Sequence, residues 1–146
     1  MDSSRPKISE LIEFLILFVI GGLSYNLVEI LFRGYTYFSM FLLGGACFIC
    51  IGLINEIFPW TMPLISQMFV SMLIVTLFEF IAGVILNIWL GLGVWDYSML
   101  PYNLFGQVSL IFSIGWFFLS VIAIIADDYM RYYLFDEEKP RYKLLY

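Results

Sequence analysis

The sequence predicts an all-α fold: a bundle of four transmembrane helices with short connections and both termini in the cytoplasm. Three observations predict it. Of 146 residues, 62% are hydrophobic and 13% charged, more apolar surface than a soluble domain of this length can hide. The apolar residues form long continuous runs without the alternation of barrel strands, and a lipid-spanning segment must be a helix or part of a closed barrel. Finally, Lys and Arg gather near the two ends of the chain.

The spans are expected at about residues 11–32, 37–58, 64–90 and 104–126, each exceeding the ~20 residues that cross ~30 Å of hydrocarbon. The third is longer than it needs to be and should tilt or project. Short turns make successive spans antiparallel. Pro59 and Pro63 bracket the second turn, and Gly91, Gly93 and Pro101 break the chain around the third connection. Residues 1–146 are read as one integral membrane domain, with a cytoplasmic tail over 127–146.

Orientation follows from the basic residues. Arg5 and Lys7 precede the first span, and Arg131, Lys139, Arg141 and Lys143 follow the fourth; within the loops the base is Arg33. The positive-inside rule then puts both ends in the cytoplasm of a multi-pass cell-membrane protein. Tyr35, Tyr37, Trp89, Trp95, Tyr97 and Tyr102 would form the outer aromatic belt, and Trp60, Tyr129, Tyr132 and Tyr133 the inner one. The net charge of −5 owes much to Asp127, Asp128, Asp136, Glu137 and Glu138. Interleaved with bases, these read as a solvated helix end and tail, and they argue against a nucleic-acid partner. The first apolar run is too long for a cleavable leader and lacks a small-residue cleavage site.

Chemistry is bounded by missing residue types. There is no His, which excludes imidazole catalysis and His-ligated metal. There is no Gly-rich loop ending in Lys-Ser or Lys-Thr, which excludes the P-loop route to nucleotide hydrolysis. Cys47 and Cys50 form C-x-x-C in mid-span, where apolar surroundings suppress thiol reactivity, so they read as packing residues. No catalytic residue, cofactor or metal is expected, and the chain is not read as an enzyme.

The polar residues that remain form a pattern. Thr76, Glu79, Gly83 and Asn87 of the third span fall within about 80° of arc at roughly 100° per residue, one helix face. An ionisable group at membrane depth costs ~2.5–3.5 kcal/mol or more, so it turns inward and marks a candidate site. In the first span Gly22, Asn26, Glu29 and Arg33 share about 60° of arc, and Glu29 and Arg33 have the i,i+4 spacing of an ion pair. Glu79 lies about 12 Å deeper than Asn87 at ~1.5 Å per residue, near the midplane. Asp96 closes the third connection, and Asn103 and Gln107 follow where the fourth span enters. If the polar faces meet, Asn26, Glu29, Arg33, Thr76, Glu79, Asn87, Asp96, Asn103 and Gln107 line a polar cavity opening outward, with Glu79 at its floor.

The competing reading is packing. Polar side chains between membrane helices often serve as glue worth about 0.6–2 kcal/mol, and Gly permits close approach. Gly106, Ser109, Ser113, Trp116 and Ser120 share such a seam on the fourth span, and Gly45, Gly52 and Glu56 form a similar one on span two. Glu79 is either a neutral acid bonded to a neighbouring helix or a titrating group in a pathway. Gly34-x-x-Tyr37-Phe38-Ser39-Met40 also echoes Gly93-x-Trp95-Asp96-Tyr97-Ser98-Met99, as two copies of a hairpin would.

The run Glu79-Phe80-x-x-Gly83-x-x-x-Asn87, the segment Val94-Trp95-Asp96-Tyr97-Ser98-x-x-Pro101-x-Asn103-x-x-Gly106-Gln107, and the tail from Asp127-Asp128 to Glu138-Lys139-Pro140 resemble the ABC-transporter type IV family (CmpB-like) of small bacterial membrane proteins. Phe32-Arg33-Gly34, Met40 and Gly44-Gly45 fit as well, so the resemblance spans nearly the whole chain. It implies that Trp95 joins Glu79, Asn87, Asp96, Asn103 and Gln107 in a shared pattern, and it implies a transport component. Four helices are few to enclose a pathway, so the expected partners beyond the lipid bilayer are further copies of the chain or a larger membrane protein, including a separate ATPase. A scaffold or regulatory subunit that binds another membrane protein is the alternative. An intramembrane enzyme acting on lipid through Glu79 or Asp96 is the third class, and no lipid-transferase or phosphatase motif supports it.

Overall fold

The protein is described from a computed structural model, which covers residues 7–145. Arg5, one of the bases flanking the first span, lies outside the described residues. In chain order the elements are α1 (Lys7–Arg33), α2 (Phe38–Ile57), α3 (Leu64–Gly83) continued by a π-helical segment (Val84–Trp89), β1 (Asn103–Leu104), β2 (Val108–Ser109) and α4 (Leu110–Phe135). Among the described residues, four helices are long and apolar enough to cross a membrane: Glu10–Arg33, Phe38–Ile57, Leu64–Trp89 and Leu110–Phe135. The fold is all-α, as the composition and the unbroken apolar runs require. The described residues divide into two compact units, the first ending at Ile49 and the second beginning at Cys50.

The first unit is an αα-hairpin closed by glycine contacts. Gly21 and Gly22 face Phe48 and Phe41, while Gly44 and Gly45 face Tyr25 and Phe18, each so closely that a Cβ would collide with the opposing side chain. Apolar side chains gain little by leaving lipid for protein, so close backbone approach is what such a pair has to offer. At the turn, Arg33 Nη2 donates to Glu29 at 2.7 Å and its guanidinium lies 4.7 Å from the Tyr35 ring centre. Thr36 donates to Asn26 Oδ1 at 3.1 Å. Gly34, at φ +80°, makes the reversal itself.

In the second unit α3 and α4 run antiparallel. Their side chains meet in reverse order: Thr76 with Ser113 at 2.8 Å, then Met68 carbonyl with Ser120 Oγ at 3.4 Å. The buried face of α3 repeats every fourth residue through Gln67, Ser71, Val75, Glu79 and Gly83.

The fourth span differs from expectation at both ends. Residues 103–109, read as its entry, form a two-stranded antiparallel ladder pairing Asn103 with Ser109 and Leu104 with Val108. Phe105 and Gly106 turn that hairpin at φ 52° and 71°. Ser109 stays extended and its side chain accepts from Phe112 N at 3.4 Å, so the helix begins at Leu110. At the other end α4 runs on to Phe135 and stops at Asp136, which is left-handed at φ 55°.

That extension overturns the reading of Asp127 and Asp128 as a solvated helix end. They are 0% and 4% exposed, and Arg131 is 5% exposed. Arg131 Nε donates to Asp127 at 2.8 Å, Asn55 Nδ2 to Asp128 at 2.6 Å, and Tyr142 OH to the same Asp128 oxygen at 2.8 Å. Gly52 supplies the space, since a Cβ there would strike the Asp127 carboxylate. The tail folds back rather than trailing away: Leu64 N donates to Lys143 O at 2.7 Å, and Trp60 meets Tyr142 edge to face at 6.0 Å. Burial, then the Asp128 carboxylate, push the Tyr142 phenol well above its ordinary pKa, so it stays a donor. Charge interleaving could not reveal this, because the partners of Asp128 come from α2 and the far end of the tail.

Two glycines test this packing. Gly52→Ala should destabilise the protein by roughly 1–3 kcal/mol, as overpacking of a filled site does. Gly115→Ala meets nothing within 4 Å and should be neutral, or stabilising by about 0.5–1 kcal/mol. Thermal unfolding midpoints in detergent would compare the two.

Candidate functional site

The site is built around the end of the third span. There the helix widens into the π-helical segment Val84–Trp89, a local form that recurs at functional sites. The Asn87 side chain projects from it and takes up the chain that follows. Its Oδ1 accepts from Val94 N at 2.7 Å and from Trp95 N at 3.5 Å, and its Nδ2 donates to Gln107 Oε1 at 2.9 Å. Trp95, 8% exposed, donates its indole N–H to Gln107 O at 2.8 Å. Gly83 makes the approach possible: a Cβ there would lie 2.6 Å from Gln107 Oε1 and 3.0 Å from the Trp95 ring.

The rest of the loop is closed by side chains bonding to backbone. Asp96 Oδ1 accepts from Ser98 N at 2.8 Å, the Asx arrangement that starts a turn. Asn103 Nδ2 donates to Leu100 O at 2.8 Å and to Ser98 O at 3.3 Å, while its Oδ1 accepts from Gly106 N at 2.9 Å. Tyr97 N donates to Gly106 O at 2.8 Å. The backbone N–H and hydroxyl of Ser98 hold the Asp96 carboxyl below its ordinary pKa.

This loop aims Tyr97 inward. Its ring stacks on Phe112 with centres 4.7 Å apart and planes at 8°. Its hydroxyl donates to Glu79 Oε1 at 3.0 Å, and Trp116 Nε1 donates to Glu79 Oε2 at 3.3 Å. Glu79 is 2% exposed. Each carboxylate oxygen thus faces a neutral donor. Beneath it lies the Thr76–Ser113 pair.

Residues 12–140 match the family described as Putative ABC-transporter type IV. The chain belongs to this family. No curated protein and no solved structure matches it. The match spans both units, and in this member of the type IV family the Trp95-Asp96-Tyr97-Ser98…Asn103…Gly106-Gln107 string is the covering loop itself.

Of the residues singled out from sequence, the second unit brings together Glu79, Asn87, Trp95, Asp96, Asn103 and Gln107, with Thr76 beneath them. Asn26, Glu29 and Arg33 belong to the first unit, where they bond to its own turn. Two partners of Glu79 were missed. Tyr97 read as an interfacial aromatic, because helical spacing cannot place a loop residue. Trp116 read as packing; an indole N–H on the same face as Ser113 and Ser120 was the available signal. Among the described residues no cluster of three or more His, Cys, Asp or Glu could hold a metal ion.

Asn87→Ala strips partners from two backbone N–H groups and from Gln107, and should cost roughly 1–3 kcal/mol for each buried group left unpaired. Tyr97→Phe removes a single hydroxyl and should cost less, a difference visible in unfolding midpoints. The depressed Asp96 pKa makes its contribution to loop order present above the unfolded value near ~3.9 and lost as pH falls through the lower folded value. Amide exchange at Ser98 followed down an acid titration should show that loss, and Asp96→Asn should remove the pH dependence.

Proposed function

We propose that the protein is a small component of a membrane transport system, with Glu79 as its internal acidic site and both termini cytoplasmic. One observation carries the reading: a carboxylate 2% exposed, inside a span long enough to cross the bilayer, is gripped by Tyr97 from the loop and Trp116 from α4. An acid at such depth is costly to keep, and glue alone does not require one. Thr76, Asn87, Trp95, Asp96, Asn103 and Gln107 would line the polar cavity above Glu79 when Tyr97 withdraws. Asn26, Glu29 and Arg33 take no part in this reading. The family description supports a transport role. Since the chain has no P-loop of its own, ATP-driven movement requires a separate ATPase, and the small number of helices calls for further copies or a larger membrane partner.

A second reading, a scaffold or regulatory subunit, is favoured by one specific observation. The loop holds Met99, Tyr102 and Phe105 at 93%, 82% and 74% exposure. Tyr102 and Phe105 are also fixed at φ 54° and 52°, conformations that are uncommon for bulky residues and often accompany function.

Copurification from native membranes should recover an ATPase or permease subunit. Flux by the reconstituted complex should be lost in Glu79→Gln. Flux unchanged in that variant removes Glu79 from the mechanism, whereas binding lost in a Tyr102→Ser, Phe105→Ser double variant while Glu79→Gln binds normally selects the scaffold. For orientation, an impermeant maleimide applied to intact cells should label Met99→Cys and spare Lys143→Cys.

A further inference from the structure

We propose that the second unit carries a proton path between Glu79 and Asp127, running along the buried face shared by α3 and α4. It goes beyond the transport reading, since it needs Glu79 but neither an ATPase nor a particular cargo.

The observation is a line of buried polar atoms that the fold leaves unanswered. Gln67, Ser71 and Glu79 lie on one stripe of α3 at 1%, 0% and 2% exposure, and Asp127 sits at 0% near the far end of α4. Among the described residues, Ser71 Oγ, Gln67 Oε1 and Asp127 Oδ1 have no hydrogen-bond partner. Buried polar atoms are nearly always bonded, and in hydrocarbon there is no solvent to excuse the exceptions. Two such atoms, Ser71 Oγ and Gln67 Oε1, on the stripe that carries Glu79, together with Asp127 Oδ1 at the other end, are the kind of group that internal water completes.

The spacing suits a relay. At ~1.5 Å rise per residue, Ser71 lies about 12 Å below Glu79 and Gln67 about 6 Å below Ser71. The Thr76–Ser113 pair, 2.8 Å apart, stands within the longer gap. A bound calcium ion requires about 6–8 oxygens converging at ~2.3–2.6 Å; single oxygens strung at turn-length intervals provide no such shell, but they do orient a file of water.

Both ends reach toward solvent. Tyr97, half-buried in the loop, donates to Glu79. Around Asp127 stand Asp128 and Arg131 of α4, Tyr142 of the tail, and the exposed Glu56 of α2, which acts electrostatically on both aspartates. A proton arriving at Tyr97 displaces the phenolic proton onto Glu79. The acid then passes a proton to water, and each hydroxyl along the file releases one proton as it accepts another. Gln67 orients water through its carbonyl without itself being protonated. The last proton neutralises Asp127 and leaves beside Glu56, so no group is changed over a cycle.

The test uses the full chain in liposomes with an entrapped pH dye and a valinomycin-imposed potassium potential, interior negative. Wild-type vesicles should acidify faster than empty ones. Glu79→Gln and Ser71→Ala should fall to the empty-vesicle rate, and Ser71→Thr should keep conduction. Ser71→Ala removes an unbonded hydroxyl, so its unfolding midpoint should be unchanged or raised, which separates lost conduction from lost folding. Wild-type acidification no faster than that of empty vesicles overturns the proposal. So does conduction by Ser71→Ala equal to wild type, or a response from an entrapped sodium dye in place of the pH dye. None of these outcomes bears on partner-dependent flux in Glu79→Gln, which is measured separately.

Discussion

Hydrocarbon offers no hydrogen bonds, so each polar group carried into a span must be met by another part of the chain, and that requirement organises this structure. Its clearest expression is Glu79, whose two oxygens are met by Tyr97 and Trp116. Neither donor is near it in sequence. To bring Tyr97 down onto the acid, the connection between the third and fourth spans has to be a folded object rather than a slack link. The π-helical segment, the short hairpin and the delayed start of α4 all serve that end.

The loop shows how one string of residue types can close a fold and present a surface together. Asn87 binds two backbone N–H groups and Gln107, Asp96 starts a turn, and Asn103 ties three backbone groups. Gly83 and Gly106 are glycines for different reasons: one for the close approach of Gln107 and Trp95, the other for a left-handed turn. With the backbone bonds drawn inward, the apolar side chains of Met99, Tyr102 and Phe105 are left outside. One piece of chain thus covers the acid and displays a surface.

The far end of the second unit solves the same problem with charge. Asp127 and Arg131 pair along α4, Asn55 and Tyr142 both bond to Asp128, and Gly52 clears room for the Asp127 carboxylate. Burying ions is justified energetically only when partners and hydrogen bonds surround them, and here α2, α4 and the returning tail all contribute. Between this cluster and Glu79, Ser71 Oγ and Gln67 Oε1 remain without partners. The proton path gives those two atoms a purpose that packing does not.

Sequence by itself determined the class of fold, the approximate bounds of the first three spans, and the face of the third helix that carries Thr76, Glu79, Gly83 and Asn87. Those features follow from hydropathy and a 3.6-residue period, which are local and repeat along the chain. The family resemblance grouped Glu79, Asn87, Trp95, Asp96, Asn103 and Gln107 in one pattern. Tertiary structure decided what these residues touch. Tyr97 turns inward because backbone bonds fix its loop, and Trp116 becomes a donor because α4 packs against α3. Asp127 and Asp128 are buried because a glycine on α2 and a tyrosine of the tail meet them there. Hydrogen bonds between residues far apart in the chain depend on distance and angle in space, and neither quantity is encoded in a periodicity.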